Sequence, residues 1–302
     1  MAVEAAMAAV QVASLRHVRL CSAAAKPLAA FYEAALGFRV AMLEHLSGAR
    51  ARECFGVPGR LLRVTLELGA QQVVLVQFVD QPGRPYPRGS DASDPVFQHI
   101  AIVVGDMAGA MSQLSGTPGW TPITRGDPQQ LPASSGGVTA FKFRDPEGHP
   151  LELLAFPADN TPTPWQGARG HGPFLGIDHS AISVVDSARS VAFYAALGLT
   201  AAHRSLNEDP AQARLDGLAS PVVEVTAMEP AFAPPHVELL SYRQAAGHEG
   251  SPDGAGSDLA PNDVAATCLV FAGADGRGQP GHDRVALVDP DGHHLAVDLT
   301  AA

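Results

Sequence analysis

An internal repeat is the feature of this sequence that most limits its fold. Three histidines, His17, His99 and His179, each open a short run of alternating apolar residues, and they are spaced about 80 residues apart. Alternation of this kind is typical of a strand with one buried face. The spacing therefore predicts at least three copies of one folding unit, each beginning with a strand.

Two of these strands lead into the same helical phrase. The sequence reads KPLAAFYEAALGF at 26–38 and ARSVAFYAALGL at 188–199, and the two phrases reach a glycine at Gly37 and Gly198. Glycine commonly ends a helix because it adopts the left-handed conformation without strain. After His99 the run MAGAMSQL at 107–114 is also compatible with a helix.

The units also close in the same way. Runs at 74–78, 152–156 and 238–242 each end in an aromatic residue, and the turn DPEGH at 145–149 recurs as DPDGH at 289–293. The second copy of this turn predicts a fourth, shortened unit from about residue 262, with NDVAATCLVF as its opening strand. Each unit reads as strand, helix and about three further strands, which indicates an α+β protein.

Composition narrows the class of protein. With 302 residues, 46% hydrophobic, the chain can bury two cores. A net charge of −11 disfavours nucleic acid and anionic membrane surfaces as partners. The three cysteines lie far apart, and the start of the chain carries no secretory signal or membrane-length apolar run, so we expect a cytoplasmic protein.

Taken together, the repeated units, the FYxxxLGF phrase and the DPxGHxLEL turn resemble the vicinal oxygen chelate superfamily. That superfamily includes glyoxalase I, extradiol dioxygenases, methylmalonyl-CoA epimerase and fosfomycin and bleomycin resistance proteins. The resemblance covers nearly the whole chain and implies four βαβββ modules paired into two open-barrel, cup-shaped domains. It does not specify the reaction, because these relatives differ in chemistry on one scaffold.

The resemblance also implies where a divalent metal would bind. In the family, ligands come from the first and last strands of each unit and converge on the floor of a cup. The corresponding residues here are His17 and Val74 in unit one, His99 and Glu152 in unit two, His179 and Glu238 in unit three, and Ala266 or Thr267 with Ala296 in unit four. His149, in the turn before Glu152, is interpreted as a turn residue rather than a ligand.

The pairing of the units decides which ligand set is complete. We expect unit one to pair with unit two (12–157) and unit three with unit four (175–302), because sequential neighbours usually pair. The first domain then holds His17, His99 and Glu152, a set that suits non-haem Fe(II), and the second domain is degenerate. The alternative pairs two with three and one with four. The alternative ligand set is then His99, Glu152, His179 and Glu238, which suits Zn(II), Ni(II) or Mn(II).

Three functions follow from these alternatives. The favoured one is an Fe(II) extradiol-like dioxygenase acting on a small molecule with two adjacent oxygens. Lys142, at the place where extradiol enzymes carry a tyrosine, is its candidate catalytic residue, as an acid or as a neutraliser of negative charge. The others are a glyoxalase-like lyase or isomerase and a metal-free binding or resistance protein. We expect a monomer or a homodimer, and no cofactor besides the metal.

Overall fold

The computed structural model describes residues 10–168, 170, 172–243, 259–274 and 284–299. Within these ranges the chain forms two large mixed sheets with short helices packed on them. This confirms the expected α+β class. No helix in the described ranges combines the length and apolar character needed to cross a membrane.

The first two units follow the predicted order of elements. Unit one consists of β1 (Val12–Cys21), α1 (Ala25–Leu36), β2 (Arg39–Leu46), α2 (Gly48–Phe55), β3 (Leu61–Leu68) and β4 (Gln71–Phe78). Unit two consists of β5 (Gln98–Val104), α3 (Met107–Ser115), β6 (Thr121–Pro122), β7 (Gln129–Gln130), β8 (Thr139–Arg144) and β9 (Pro150–Ala155). Helix α1 ends at Gly37, whose φ of 69° is the left-handed conformation that the sequence pattern predicted.

Units three and four complete the chain. Unit three consists of β10 (Phe174–Ser183), α4 (Ser187–Ala196), β11 (Thr200–Asn207), α5 (Pro210–Leu215), β12 (Val222–Glu229) and β13 (His236–Arg243). The described part of unit four consists of β14 (Cys268–Gly273), β15 (Arg284–Val288) and β16 (His294–Asp298). Short 3-10 turns occur at Ala133–Ser135 and Thr163–Trp165.

The two sheets join units that are not the expected partners. One sheet has the order β15-β16-β14-β1-β4-β3-β2 and combines units one and four. The other has the order β11-β12-β13-β10-β5-β9-β8-β6, with β7 also on β8, and combines units two and three. The sheets therefore do not follow the expected pairing of one with two and three with four, since each sheet takes strands from both 12–157 and 175–302, and the domain bounds stay a prediction.

Polar contacts at the strand seams explain this pairing. At the antiparallel β5/β10 seam, Gln98 donates a hydrogen bond of 3.0 Å to the Ser180 hydroxyl, and both side chains are buried. Unit one is joined to unit four by an ion pair of 3.2 Å between Arg16 and Asp298. A buried polar group is stable only with its partner, so such contacts select one neighbour over another. The expected pairing relied on the order of the units in the sequence, which gives no information about these contacts.

The repeated motifs join the units in a second way. The hydroxyl of Tyr32, from the first helical phrase, donates to Asp145 of the unit-two turn at 3.2 Å, and Tyr194 donates to Asp289 of unit four at the same distance. Units one and two, and three and four, therefore contact each other through helices and turns. The largest apolar core includes side chains from both sheets and from α1, α3 and α4.

Candidate metal centre

Two histidines project from the central strands of the sheet that units two and three form. Strands β5 and β10 run antiparallel, with His99 opposite Ala181 and His179 opposite Ala101. The two alanines lie on the same face as the histidines, because residues two apart in a strand share a face. Small side chains opposite each histidine leave room in front of the imidazoles.

Two glutamates flank these histidines from the neighbouring strands. Strand β9 runs parallel to β5 and sets Glu152 beside Ala101, while β13 runs parallel to β10 and sets Glu238 beside Ala181. Each glutamate is thereby on the histidine face of the sheet. The two halves of the site repeat each other, since both combine a first-strand histidine with a last-strand glutamate.

The four side chains are close to one another. Nε2 of His99 lies 2.8 Å from Glu152 Oε2, and Nε2 of His179 lies 3.5 Å from Glu238 Oε2. The imidazole centroids are 5.7 Å apart. Single ligand atoms of His99, Glu152 and His179 all lie within 4.8 Å of one another. Such spacing is compatible with a single metal ion bound between them.

Whether the site fits a metal can be judged from the ring nitrogens that have no hydrogen-bond partner. Both nitrogens of His99 and Nε2 of His179 are buried without a hydrogen-bond partner. A buried polar atom without a partner is costly, and imidazole nitrogen and carboxylate oxygen are common ligands of divalent transition metals. The residues present fit a divalent metal.

Asp178 orients the second histidine. Its Oδ2 lies 3.0 Å from Nδ1 of His179, and its Oδ1 accepts a 2.7 Å hydrogen bond from the Trp165 indole. A carboxylate on one ring nitrogen leaves the other nitrogen facing the site, as in many metal centres. Trp165 comes from the linker between units two and three, so the linker contributes to the site.

Charge around His179 is predominantly negative. Burial opposes the charging of His179, but Glu238 and Asp178 outweigh it and raise its pKa to about 9. Burial likewise opposes the ionisation of Glu238, but His179 and His236 lower its pKa. His236 approaches Glu238 Oε1 at 3.7 Å. Metal binding at His179 would displace a proton, and the metal would compensate the buried carboxylates.

A cavity of about 500 Å³ opens in front of the four side chains. Its walls combine apolar groups, including Leu131, Val138 and Leu240, with polar ones such as Asn207 and Gln212. This size and lining are typical of a site for a small organic molecule. Trp165, from the linker between units two and three, also lines the cavity.

Lys142 reaches the cavity from β8. It is 3% exposed, lies beside Glu152 in the strand ladder, and its Nζ donates a 2.7 Å hydrogen bond to Asp216. Burial opposes its charge, but Asp216 and Glu152 outweigh burial and raise the pKa of Lys142. A raised pKa makes the ammonium a weak acid, which favours charge neutralisation over proton donation. Its catalytic role stays a prediction.

The expected set of His17, His99 and Glu152 is not brought together. His17 lies on β1 in the other sheet, because unit one pairs with unit four, and it lines a different cavity. The structure assembles the alternative set of His99, Glu152, His179 and Glu238. Their role as metal ligands stays a prediction.

Two smaller expectations concern unit four and the turn before Glu152. Strand β14 begins at Cys268. Cys268 pairs with Arg19 in the same way that His179 pairs with Ala101 in the other sheet. Cys268, rather than Ala266 or Thr267, therefore occupies the strand position that corresponds to a ligand. His149 contacts Asp145 and the backbone of Cys21. It is a turn residue, as expected.

The arrangement of the sheets matches known structures. A mutant of glyoxalase I from Zea mays is similar over 98% of this chain and 95% of that chain, with a TM-score of 0.60 and 14% identity. Another structure of the Zea mays enzyme has a TM-score of 0.56 at 14% identity, over 94% of this chain and 92% of that one. The chain has the fold of glyoxalase I. The fold expected from the repeated motifs is thereby confirmed.

A similar fold occurs in a candidate dioxygenase from Bacillus subtilis. Its TM-score is 0.55 at 11% identity, over 96% of this chain and 86% of that chain. No family model matches the sequence, and no curated protein matches it either. The similarity is thus one of fold, and the reaction has to be inferred from the site.

Several site residues were missed by the sequence reasoning. Asp178 directly precedes His179, and His236 is two residues before Glu238, so both were visible beside the predicted ligands. His236 lies opposite His179 in the parallel β10/β13 pair. The signal that could have found them is the strand period, which puts His236 on the same face as Glu238. Asp216 carried no such signal, since only the tertiary fold brings it to Lys142.

Proposed function

We propose that this chain is a metal-dependent lyase or isomerase that acts on a small molecule with two adjacent oxygens. The proposal rests mainly on one observation: His99, Glu152, His179 and Glu238 converge on one cavity, and three of their ring nitrogens lack a hydrogen-bond partner. Two imidazoles with two carboxylates suit Zn(II), Ni(II) or Mn(II).

The side chains of the site share the tasks in this proposal, and Glu238 has two of them. His99, Glu152, His179 and Glu238 hold the metal. The bound metal supplies Lewis acidity, which polarises the adjacent oxygens of the substrate and acidifies the neighbouring C–H bond. The Lys142 ammonium, fixed by Asp216, offsets negative charge on the Glu152 side of the site.

Glu238 is the group that we assign to proton transfer. Its side chain is 23% exposed, against 7% for Glu152, and it lines the cavity on the side of His236. The greater exposure lets Oε1 reach a substrate carbon, whereas Glu152 is enclosed by His99 and Lys142. Proton transfer by a positioned carboxylate contributes about 10²–10⁴-fold to rate.

A second candidate is the Fe(II) dioxygenase that the sequence favoured. His99, His179 and Glu152 form a two-histidine, one-carboxylate group, the set that non-haem Fe(II) oxygenases use. The fold shared with a candidate dioxygenase is consistent with it. The fourth side chain, Glu238, and the lysine at the tyrosine position of extradiol enzymes make it the weaker proposal.

Metal analysis separates the two functions. The protein would be purified without oxygen and without added chelator, and its metals measured by elemental analysis. We expect about one zinc, nickel or manganese ion per chain, lost in Glu152→Gln and kept in His17→Asn. About one iron ion per chain, together with oxygen consumption when catechols are added, would favour the dioxygenase.

Deuterium exchange tests the reaction class. Small α-hydroxy ketones and aldehydes incubated with the metal-loaded protein in D2O should gain deuterium at the carbon beside the carbonyl, as read by NMR. Glu238→Asp, which keeps a carboxylate, should slow exchange less than Glu238→Gln. If the protein binds no metal after reconstitution, both enzyme proposals are contradicted. The remaining function is then that of a metal-free binding or resistance protein.

A further inference from the structure

Units two and three form the cup that holds the candidate metal centre, here called the first cup. Units one and four form the second cup, which lacks the carboxylates of the first. The register of its strands puts His17 where the first cup has His99, and Val74 where it has Glu152. Cys268 and Ala296 take the places of His179 and Glu238. Without a carboxylate at these four positions, the second cup has no counterpart of the candidate metal centre.

An arginine stands where the first cup has a small alanine. Arg19 occupies the β1 position that corresponds to Ala101, on the same face as His17. It is 7% exposed, and its guanidinium carbon lies 5.2 Å from the centroid of the Phe55 ring. The guanidinium thus fills the floor of a cavity of about 400 Å³.

Arg19 lacks a counter-charge. Its Nε is buried with no hydrogen-bond partner, and in the described part of the chain no carboxylate forms an ion pair with it. A guanidinium stays charged in any protein environment, so burying it unpaired costs several kcal/mol. The stacking on Phe55 offsets only part of that cost.

Three further arginines line the same cavity. Arg16 and Arg284 share one carboxylate, Asp298, at 3.2 and 2.6 Å. Arg63 forms an ion pair with Glu44, while its Nε is buried without a partner. In a chain of net charge −11, this cavity concentrates positive charge.

The neighbouring groups are consistent with a positive field. Desolvation and the charge of Arg284 lower the pKa of His17 to about 3, so His17 adds no charge. Burial raises the pKa of the Cys268 thiol, which therefore adds no negative charge beside the cavity. The cavity is suited to an anion rather than a cation.

We propose that the second cup binds a small molecule through its phosphate or carboxylate group, with Arg19 and Arg63 as the main contacts. Both side chains line the cavity, and a guanidinium binds phosphate or carboxylate oxygens in a forked geometry. The bound anion supplies the counter-charge that Arg19 lacks within the protein. This site is separate from the candidate metal centre, because it lies on the other sheet.

Calorimetry with two anions tests the proposal. Inorganic phosphate and succinate would each be titrated into the full chain in a low-salt buffer free of other oxyanions. We expect one site per chain, at least tenfold weaker in Arg19→Met. Arg60→Ala is the matched control, because Arg60 is exposed and pairs with Asp80 away from the cavity, and it should bind as the parent does.

Two additional measurements remove ambiguity. Arg19→Met should melt at the same temperature as the parent or higher without anion, since it removes an uncompensated charge, but phosphate or succinate should no longer raise its melting temperature. Glu152→Gln should keep anion binding, which separates this site from the metal centre. Binding of one anion alone identifies the ligand group.

Two results would overturn the proposal. One is that neither anion binds the parent protein in calorimetry. The other is that Arg19→Met binds either anion as tightly as the parent does.

Discussion

Oδ2 of Asp178 lies 3.0 Å from Nδ1 of His179, its neighbour in the chain, so that the imidazole directs Nε2 toward Glu238. A β-bulge between Ile177 and His179 interrupts the usual alternation of β10, so Asp178 and His179 both line the cavity. The indole of Trp165 holds the same carboxylate. One linker tryptophan is thereby connected, through Asp178, to the orientation of a candidate ligand.

Replacing Asp178 should weaken metal binding without abolishing it. In Asp178→Asn the ring of His179 loses its carboxylate partner, and we expect metal affinity to fall about 10–100-fold. Competition with a coloured zinc chelator measures the change. Asp159→Asn, at an exposed position in the linker, is the control. Equal affinity in all three proteins would show that Asp178 does not support the site.

The ligand set itself can be distinguished from the one first expected. Glu152→Gln and His179→Asn should each lower the bound metal to a small fraction of one per chain, because each removes a ligand. His17→Asn should retain the full amount, since His17 lies in the other sheet. Elemental analysis of the purified variants gives the answer. Metal loss in the His17 and Glu152 variants, with His179→Asn keeping its metal, would restore the original set.

The buried pair of Lys142 and Asp216 should behave as a unit. Lys142→Met leaves Asp216 charged and buried, although Gln212 and Tyr242 still donate to it, and we expect a loss of about 3–5 kcal/mol in unfolding free energy. The double variant Lys142→Met/Asp216→Asn should recover most of that loss. Urea unfolding of both single variants and the double variant forms the cycle. Additive losses would contradict coupling.

Stability should depend on pH through His149. Burial opposes its charge, but Asp145 outweighs burial and raises its folded pKa above the usual value near 6.5. A raised folded pKa means that the stabilisation is fully present below about pH 6.5 and is lost as pH rises through the folded pKa. The charged ring donates to Asp145 at 2.8 Å and to the Cys21 carbonyl at 2.9 Å.

Urea unfolding at several pH values measures this effect. The difference in unfolding free energy between the parent and His149→Gln should shrink as pH increases from 6 to 9. His203→Gln, at an exposed strand position, is the matched control and should show no such trend. A difference that grows with pH would contradict the assignment.

Much of the fold could be predicted because the repeated units show which strand positions are equivalent. His99 and His179 occupy equivalent positions in their units, and so do Glu152 and Glu238, so the four candidate ligands were named from spacing and from the family resemblance. The helical phrase and the DPxGH turn were also recognised, although not as partners. The Tyr32–Asp145 contact shows that they bind one another across units.

Pairing of the units could not be predicted from the same signals. Each unit offers a similar first strand, and the choice between partners depends on seam contacts such as Gln98 with Ser180, which are distant in sequence. Lys142 with Asp216 is a similar case, because 74 residues separate them. Local patterns specify the units, whereas complementarity between side chains specifies how the units combine.

The nested order of the units has a consequence for how this chain folds during synthesis. The sheet of units two and three can close once the chain has passed Arg243, whereas β1 waits for β14, more than 240 residues later. Until then β1 has a bare edge, which is a template for unwanted pairing. The arginine-lined cup is therefore the last part of the molecule to take shape, and protease protection of ribosome-stalled chains should appear first in the cup that holds His99 and His179.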